Sequence, residues 1–246
     1  MKSRLDKVLV DRGLAASRER AQALILAGKV LVDEQKVDKS GTQIEEKCTI
    51  RLLGEDLKYV SRGGLKLERA LEHWHIDVNG MVCLDIGAST GGFTDCLLQH
   101  GAARVLAIDT GFGQIDFKLR QDPRVRLLEK TNARYLTCEV LGESAEFVAM
   151  DVSFISATII LPAVISSAFA GNSNGGRIVV LVKPQFEAGR EHVGKGGIVR
   201  DTNAQSDSLE KVRSALIGLG ATKTDSIDSP IRGAEGNREF LLYAIF

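Results

Sequence analysis

Beyond residue 64 the chain repeats one alternation: a strand-length apolar run, a polar or glycine turn, then a helical stretch. Candidate strands fall at 82–86, 104–109, 125–128, 147–151, 178–183, 222–227 and 239–245, and helical spacing marks 65–74, 92–100, 157–168 and 201–219. Apolar strands that alternate with helices need cover on both faces, so the pattern predicts an α/β, doubly wound parallel sheet. The last two strands are joined only by the loop 228–238, which predicts that they pair antiparallel. No internal repeat is visible.

The start of the chain reads differently. Leu5, Val8 and Leu9 share one helical face in 4–12, with Gly13 as a stop. Ser17 is placed to cap a second helix running to about Ala27, with Ala21, Leu24 and Ile25 inward and Gly28 ending it. Residues 29–37 read as strand, polar turn and strand, and 49–52 as a further strand. Within 54–64, Gly54, Gly63 and Gly64 sit among polar residues and mark the linker and entry to a larger domain. The reading is a small α+β domain over 1–58 and a larger one over 59–246, with 59–64 leading into it.

A length of 246 residues accommodates both without disulfides or a structural metal. Lys+Arg and Asp+Glu both number 32, and that zero net charge, taken as a total, argues against a nucleic-acid partner. Its distribution argues otherwise: residues 1–30 carry seven cations (Lys2, Arg4, Lys7, Arg12, Arg18, Arg20, Lys29) against Asp6, Asp11 and Glu19. Such a basic pair of helices is a solvated face or a phosphate-contacting one. Cys48, Cys83, Cys96 and Cys138 form no CxxC pair and have no His at ligand spacing, so they read as reduced, partly buried residues and no metal is expected. No apolar run follows the charged start, and stretches such as Ile178–Val182 are too short to span a bilayer. The expectation is a cytoplasmic protein with no membrane partner.

The strongest local signal is Val82-Cys83-Leu84-Asp85-Ile86-Gly87-Ala88-Ser89-Thr90-Gly91-Gly92-Phe93: a buried strand ending in an acid, a glycine-rich turn, then a helix. In open α/β sheets this is where nucleotides bind, because glycines let the backbone approach a ligand closely. The turn matches neither GxGxxG nor GxxxxGK[ST]. Asp109 ends the next strand, where a carboxylate can accept from both hydroxyls of an adenosine ribose or cap the Thr110-Gly111 turn. Thr131-Asn132-Ala133-Arg134 follows the third strand.

Asp151 ends the fourth strand and Lys183 the fifth, so both face the same crevice. A lysine closing an apolar strand needs a partner, and Asp151 is placed to be one. Lys66 lies on the helix before the first strand, and Glu239 begins the last strand. Each alone reads as a surface or strand-end ion pair before it reads as a catalytic group.

Asp85-x-Gly-x-x-x-Gly-Gly resembles the class I S-adenosylmethionine methyltransferases, and RLDKVLVDRGLAASRERAQALILAGKVLVDEQKV resembles the S4 RNA-binding domain. Lys66, Asp151, Lys183 and Glu239 resemble, in chain order, the Lys-Asp-Lys-Glu tetrad of FtsJ-like ribose 2′-O-methyltransferases. With SRGGLKL, DIGASTGGFTDCLL, DVSFIS, LVKPQFE and NREFLL, nearly the whole chain resembles the TlyA family of ribosomal RNA cytidine 2′-O-methyltransferases, often labelled hemolysins.

The resemblance implies an enzyme that uses S-adenosyl-L-methionine to methylate ribosomal RNA, within ribosomal subunits or free. It implies catalytic roles for Lys66, Asp151, Lys183 and Glu239, and a cofactor site of Asp85, Gly87, Ala88, Ser89, Gly91, Gly92, Phe93, Asp109 and Asn132. It assigns Arg4, Lys7, Ser17, Arg18, Gln22 and Lys29 to RNA backbone. Lys183 is expected nearest the 2′-oxygen, as base or steering donor, with Lys66 acting on it by like charge and the carboxylates orienting both. The loop 185–200 is expected either to fold over RNA or cofactor or to be plain solvent loop. A membrane-active hemolysin and a noncatalytic ribosome-assembly factor are the rival readings.

Overall fold

The computed structural model describes residues 2–15, 17–45, 47–53, 58–172, 175–233 and 236–246. The chain divides into two compact units, Met1–Asp56 and Leu57–Phe246.

The first unit runs β1 (Lys2–Arg4), α1 (Leu5–Asp11), α2 (Arg18–Leu26), β2 (Val30–Val32), β3 (Gln35–Lys36), β4 (Gln43–Glu45) and β5 (Ile50–Leu52). Leu5, Val8, Leu9, Ala21, Leu24 and Ile25 pack together with Val30 and Ile44, so the helical spacing buries the faces it predicted. The strands form a three-stranded antiparallel sheet in the order β3-β2-β5, and β1 pairs antiparallel with β4. The β1–β4 pair is absent from the sequence reading because these three-residue strands carry no apolar alternation; Ile44 is their one buried residue.

The second unit runs α3 (Gly63–His73), β6 (Val82–Ile86), α4 (Gly92–Gln99), β7 (Arg104–Ile108), α5 (Phe117–Arg120), β8 (Val125–Leu128), α6 (Cys138–Leu141), β9 (Phe147–Met150), α7 (Ala157–Ala168), β10 (Arg177–Val182), α8 (Pro184–Glu187), α9 (Thr202–Gly218), β11 (Lys223–Asp228) and β12 (Phe240–Ile245). The seven strands lie in the order β11-β12-β10-β9-β6-β7-β8. Pairing is parallel from β10 to β8, while β12 runs antiparallel to both β10 and β11. This is the α/β sheet with an antiparallel last strand that the alternation predicted.

Side chains alternate between two apolar layers. Leu84, Val148, Val180 and Leu242 pack with α7 and α9, whereas Cys83, Phe147, Val179 and Leu241 pack with α3 and α4. Because β12 is antiparallel, its first end lies at the last ends of β9 and β10: Val182 pairs with Phe240, which puts Lys183 and Glu239 at the next step of the same edge.

Gly63 and Gly64, read as part of the linker and entry, open α3: Gly64 sits against the Tyr59 ring and Val60 N–H donates to Asp95 Oδ2 (2.8 Å); Gly54 lies outside the described residues. Two expectations need correction. Cys138 is exposed, not partly buried, because it starts α6 at the surface. The 185–200 segment is not plain loop: it begins with α8, and Asn237 fastens its end, accepting from Val199 N–H (3.1 Å) and donating to Gly197 O (2.9 Å). Among the described residues, no helix is long and apolar enough to cross a membrane, and no cluster of three His, Cys, Asp or Glu could hold a metal ion.

Candidate active site

The turn after β6 is built around a close backbone approach. Gly87 has φ +84°, and a Cβ there would collide with the carbonyl oxygen of Asp151, so only glycine lets β6 and β9 end side by side. Asp85, just inside the strand, is fully buried. Its Oδ2 accepts from Thr94 Oγ1 at 2.6 Å, while its Oδ1 has no partner. Burial, aided by the negative charge of Asp151, pushes the Asp85 carboxyl up to about 7 against that hydrogen bond.

Asp109 accepts from Ser89 N–H through Oδ2 (2.8 Å) and from Gly111 N–H through Oδ1 (2.6 Å). It therefore does cap its own turn, yet each oxygen keeps a second lone pair. Asn132 accepts from Arg134 N–H (3.0 Å) and caps the short helical turn that follows.

Two cavities open at this edge of the sheet. The larger, about 470 Å³, is lined by Ile86, Asp109, Gln114, Asn132 and Phe154 among others. The smaller, about 270 Å³, is lined by Ser61, Arg62, Lys66, Phe93 and Arg232 among others. Gly87, Ser89 and Asp151 line both. Of the other cofactor candidates, Ala88 and Gly92 join Phe93 on the smaller cavity, while Asp85 and Gly91 support the turn from behind.

The four tetrad candidates form two ion pairs. Lys66 Nζ lies 2.5 Å from Glu239 Oε2, both side chains being buried. Lys183 Nζ lies 2.6 Å from Asp151 Oδ1, an ion contact rather than a directed hydrogen bond, and donates to Ser153 Oγ at 2.7 Å. The expected partnership of Asp151 with Lys183 is present, and each lysine has its own carboxylate rather than sharing a pair.

Sequence reasoning left out Ser153 and Phe154, both inside the DVSFIS stretch. Phe154 is 91% exposed with φ +65° on the wall of the larger cavity. An exposed aromatic has no period to betray it, but its place three residues past a site acid was a usable signal.

In the first unit, Asp6 is fully buried and gathers the candidate RNA-contacting side chains. Arg4 donates to it twice (3.0 and 2.9 Å), Arg18 once (3.1 Å) and Gln22 once (2.9 Å). Ser17 is occupied as the cap of α2, accepting from Arg20 N–H. Lys7 is exposed and Lys29 half-buried. The Arg4 hydrogen bonds, with those of Gln22 and Arg18, hold the Asp6 carboxyl well below the usual range despite its burial.

Comparison with known proteins adds two domain matches: an S4 domain over residues 3–48 and an FtsJ-like methyltransferase over 59–246. The chain is 44% identical to the 16S/23S rRNA (cytidine-2′-O)-methyltransferase TlyA of Mycobacterium tuberculosis, over 98% of this chain and 89% of that protein. It is also 44% identical to Hemolysin A of Brachyspira hyodysenteriae, over 98% of this chain and 99% of that one. A solved Streptococcus thermophilus structure that carries the hemolysin name superposes with a TM-score of 0.74 at 44% identity, covering 99% of this chain and 88% of that one.

Proposed function

The chain belongs to the TlyA family of FtsJ-like methyltransferases with an S4 domain, and from that membership and the site geometry we propose that it methylates the ribose 2′-hydroxyl of cytidine in ribosomal RNA. The observation that carries this reading is the meeting of the two cavities at Asp151, beside the Lys183 ammonium. One cavity is for cofactor and the other admits the ribose.

S-adenosylmethionine fits the larger cavity. Its volume is in the range of about 300–1,000 Å³ usual for small-molecule sites. Asp109 keeps lone pairs for two ribose hydroxyls, the Gly87 cradle leaves no room for a side chain, and the fully buried Asp85, with one oxygen unpartnered, stands behind the turn. When bound, that cofactor supplies a methyl group already activated by its sulfonium. The chain has to hold the 2′-oxygen in line with it. Lys183 donates to Ser153 and stays in ion contact with Asp151, which leaves donors of its ammonium to steer the 2′-oxygen. Lys66, fixed by Glu239 on the wall of the smaller cavity, orients the ribose from the other side. Arg4, Lys7, Ser17, Arg18, Gln22 and Lys29 supply contact to RNA backbone, which positions the substrate without reading its sequence.

The test is transfer of labelled methyl from S-adenosylmethionine to ribosomal subunits lacking the modification, followed by nucleoside analysis. Label in 2′-O-methylcytidine with the wild type and its loss with Lys183→Ala is the expected result. Label in a base, or no label in either subunit, overturns the reading.

A further inference from the structure

We propose that Glu187 is a positioning residue for methyl transfer, fastening the 151–157 segment so that Asp151 and Ser153 hold Lys183 and Phe154 stands over the larger cavity. The inference rests on the 2′-O-methyl transfer reading above. Glu187 lies four residues beyond Lys183, at the end of α8, and is only 7% exposed. A buried carboxylate is unfavourable unless well partnered. It accepts from Ser156 Oγ at 2.5 Å and from Ala157 N–H at 2.6 Å, and Lys211 Nζ stands 3.3 Å away.

These partners are informative because Ala157 opens α7, and the residue in the capping position, Ser156, makes no side-chain cap of its own. A serine there can satisfy the first free N–H groups locally. Here its hydroxyl is turned to Glu187 instead, and the carboxylate of a distant segment takes over the cap, where negative charge is favoured. Helix capping alone does not call for this arrangement. It does join two segments that both carry site residues.

The join is the last of three along the same pair of segments. Lys183 meets Asp151 and Ser153, the Phe186 ring lies 5.3 Å from the Phe154 ring, and Glu187 meets Ser156 and Ala157. Between the first and last joins sits Phe154 in a left-handed conformation that non-glycine residues hold only when their surroundings impose it. With Glu187 removed, the 153–156 stretch loses its downstream anchor, and Ser153 and Phe154 relax from the geometry that holds Lys183.

The test compares the full chain with Glu187→Ala, Glu187→Gln and Ser156→Ala, by single-turnover methyl transfer to ribosomal subunits and by amide hydrogen exchange. Glu187→Ala is expected to slow transfer about 10- to 100-fold, the scale of a misplaced reacting group. Cofactor and RNA affinities stay within about threefold, which separates positioning from binding. Exchange rises across 153–158 while β10 and β12 stay protected, a pattern that general destabilisation does not produce. Glu187→Gln keeps an acceptor for Ala157 N–H and recovers most of the rate, and Ser156→Ala gives a smaller loss in the same direction. If Glu187→Ala does not fold, those two variants carry the test. Unchanged transfer, unchanged exchange at 153–158, or an equal rise throughout the unit overturns the proposal. A wild type that transfers no methyl overturns the function reading instead, and exchange at 153–158 then decides whether Glu187 is the anchor.

Discussion

Lys66 and Glu239, separated by 173 positions in the chain, form a 2.5 Å ion pair with both side chains buried, Lys66 on the wall of the smaller cavity. The pair joins α3 to the start of β12, so it ties the helix that precedes the sheet to its antiparallel strand. Removing one member leaves the other as a buried, unpaired charge. Glu239→Gln is expected to lower unfolding stability by about 3–5 kcal/mol, and Lys66→Met with Glu239→Gln by less than the sum of the two single changes. Urea unfolding of the four proteins checks this; additive losses refute the coupling.

Lys183 is held from two sides, by Asp151 and by Ser153. Lys183→Ala is expected to reduce the rate of transfer by on the order of 10²–10⁴-fold, the range for loss of a positioned proton-handling group. Ser153→Ala keeps the lysine but frees its direction, and about a tenfold loss is expected, equivalent to about 1.4 kcal/mol of barrier. Single-turnover rates at saturating cofactor separate these losses from weaker binding.

Asp85 gives a pH dependence whose sign follows from its environment. Its carboxyl is pushed up to about 7, so the folded chain keeps a proton that the unfolded chain releases above about pH 4. Between those limits stability falls as pH rises, by at most about 1.4 kcal/mol per pH unit, and above 7 this contribution is flat. Asp85→Asn should remove the slope between pH 4 and 7 in a series of urea titrations. A slope equal to that of the wild type means Asp85 is not its source.

Asp6 has the opposite sign. Hydrogen bonds from Arg4, Gln22 and Arg18 hold its carboxyl low, so its contribution is complete above about pH 4 and is lost as pH falls further. Asp6→Asn should speed amide exchange in α1 and α2 about tenfold or more at pH 7, where hydrogen bonds to a charged group are lost. In filter binding it should also weaken RNA affinity, because Arg4 and Arg18 lose the carboxylate that orients them. Unchanged exchange in both helices refutes the first expectation, and unchanged affinity the second.

The doubly wound sheet and the glycine turn were legible in the residues because each is written locally. An apolar run of strand length, the helical spacing of Ala157–Ala168, and an acid followed by glycines each span no more than about a dozen positions. The family resemblance was legible for the same reason, since its motifs are short and ordered. The β1–β4 pair was not, because strands of three residues carry too little pattern to be read.

The sequence by itself determined which residues were available for the site: two lysines and two carboxylates at helix and strand ends, with a basic stretch at the front of the chain. The partnership of Lys183 with Asp151 was already legible from their strand ends, and tertiary structure decided the other pairings. Lys66 reaches Glu239 because β12 runs antiparallel to β10, which brings the residue before its start to the edge where β10 ends. Glu187 caps α7 across 30 positions, and Asp6 collects Arg4, Arg18 and Gln22. Charge pairing depends on separations of a few ångströms in space, and chain order constrains those separations only within a helix turn or a hairpin.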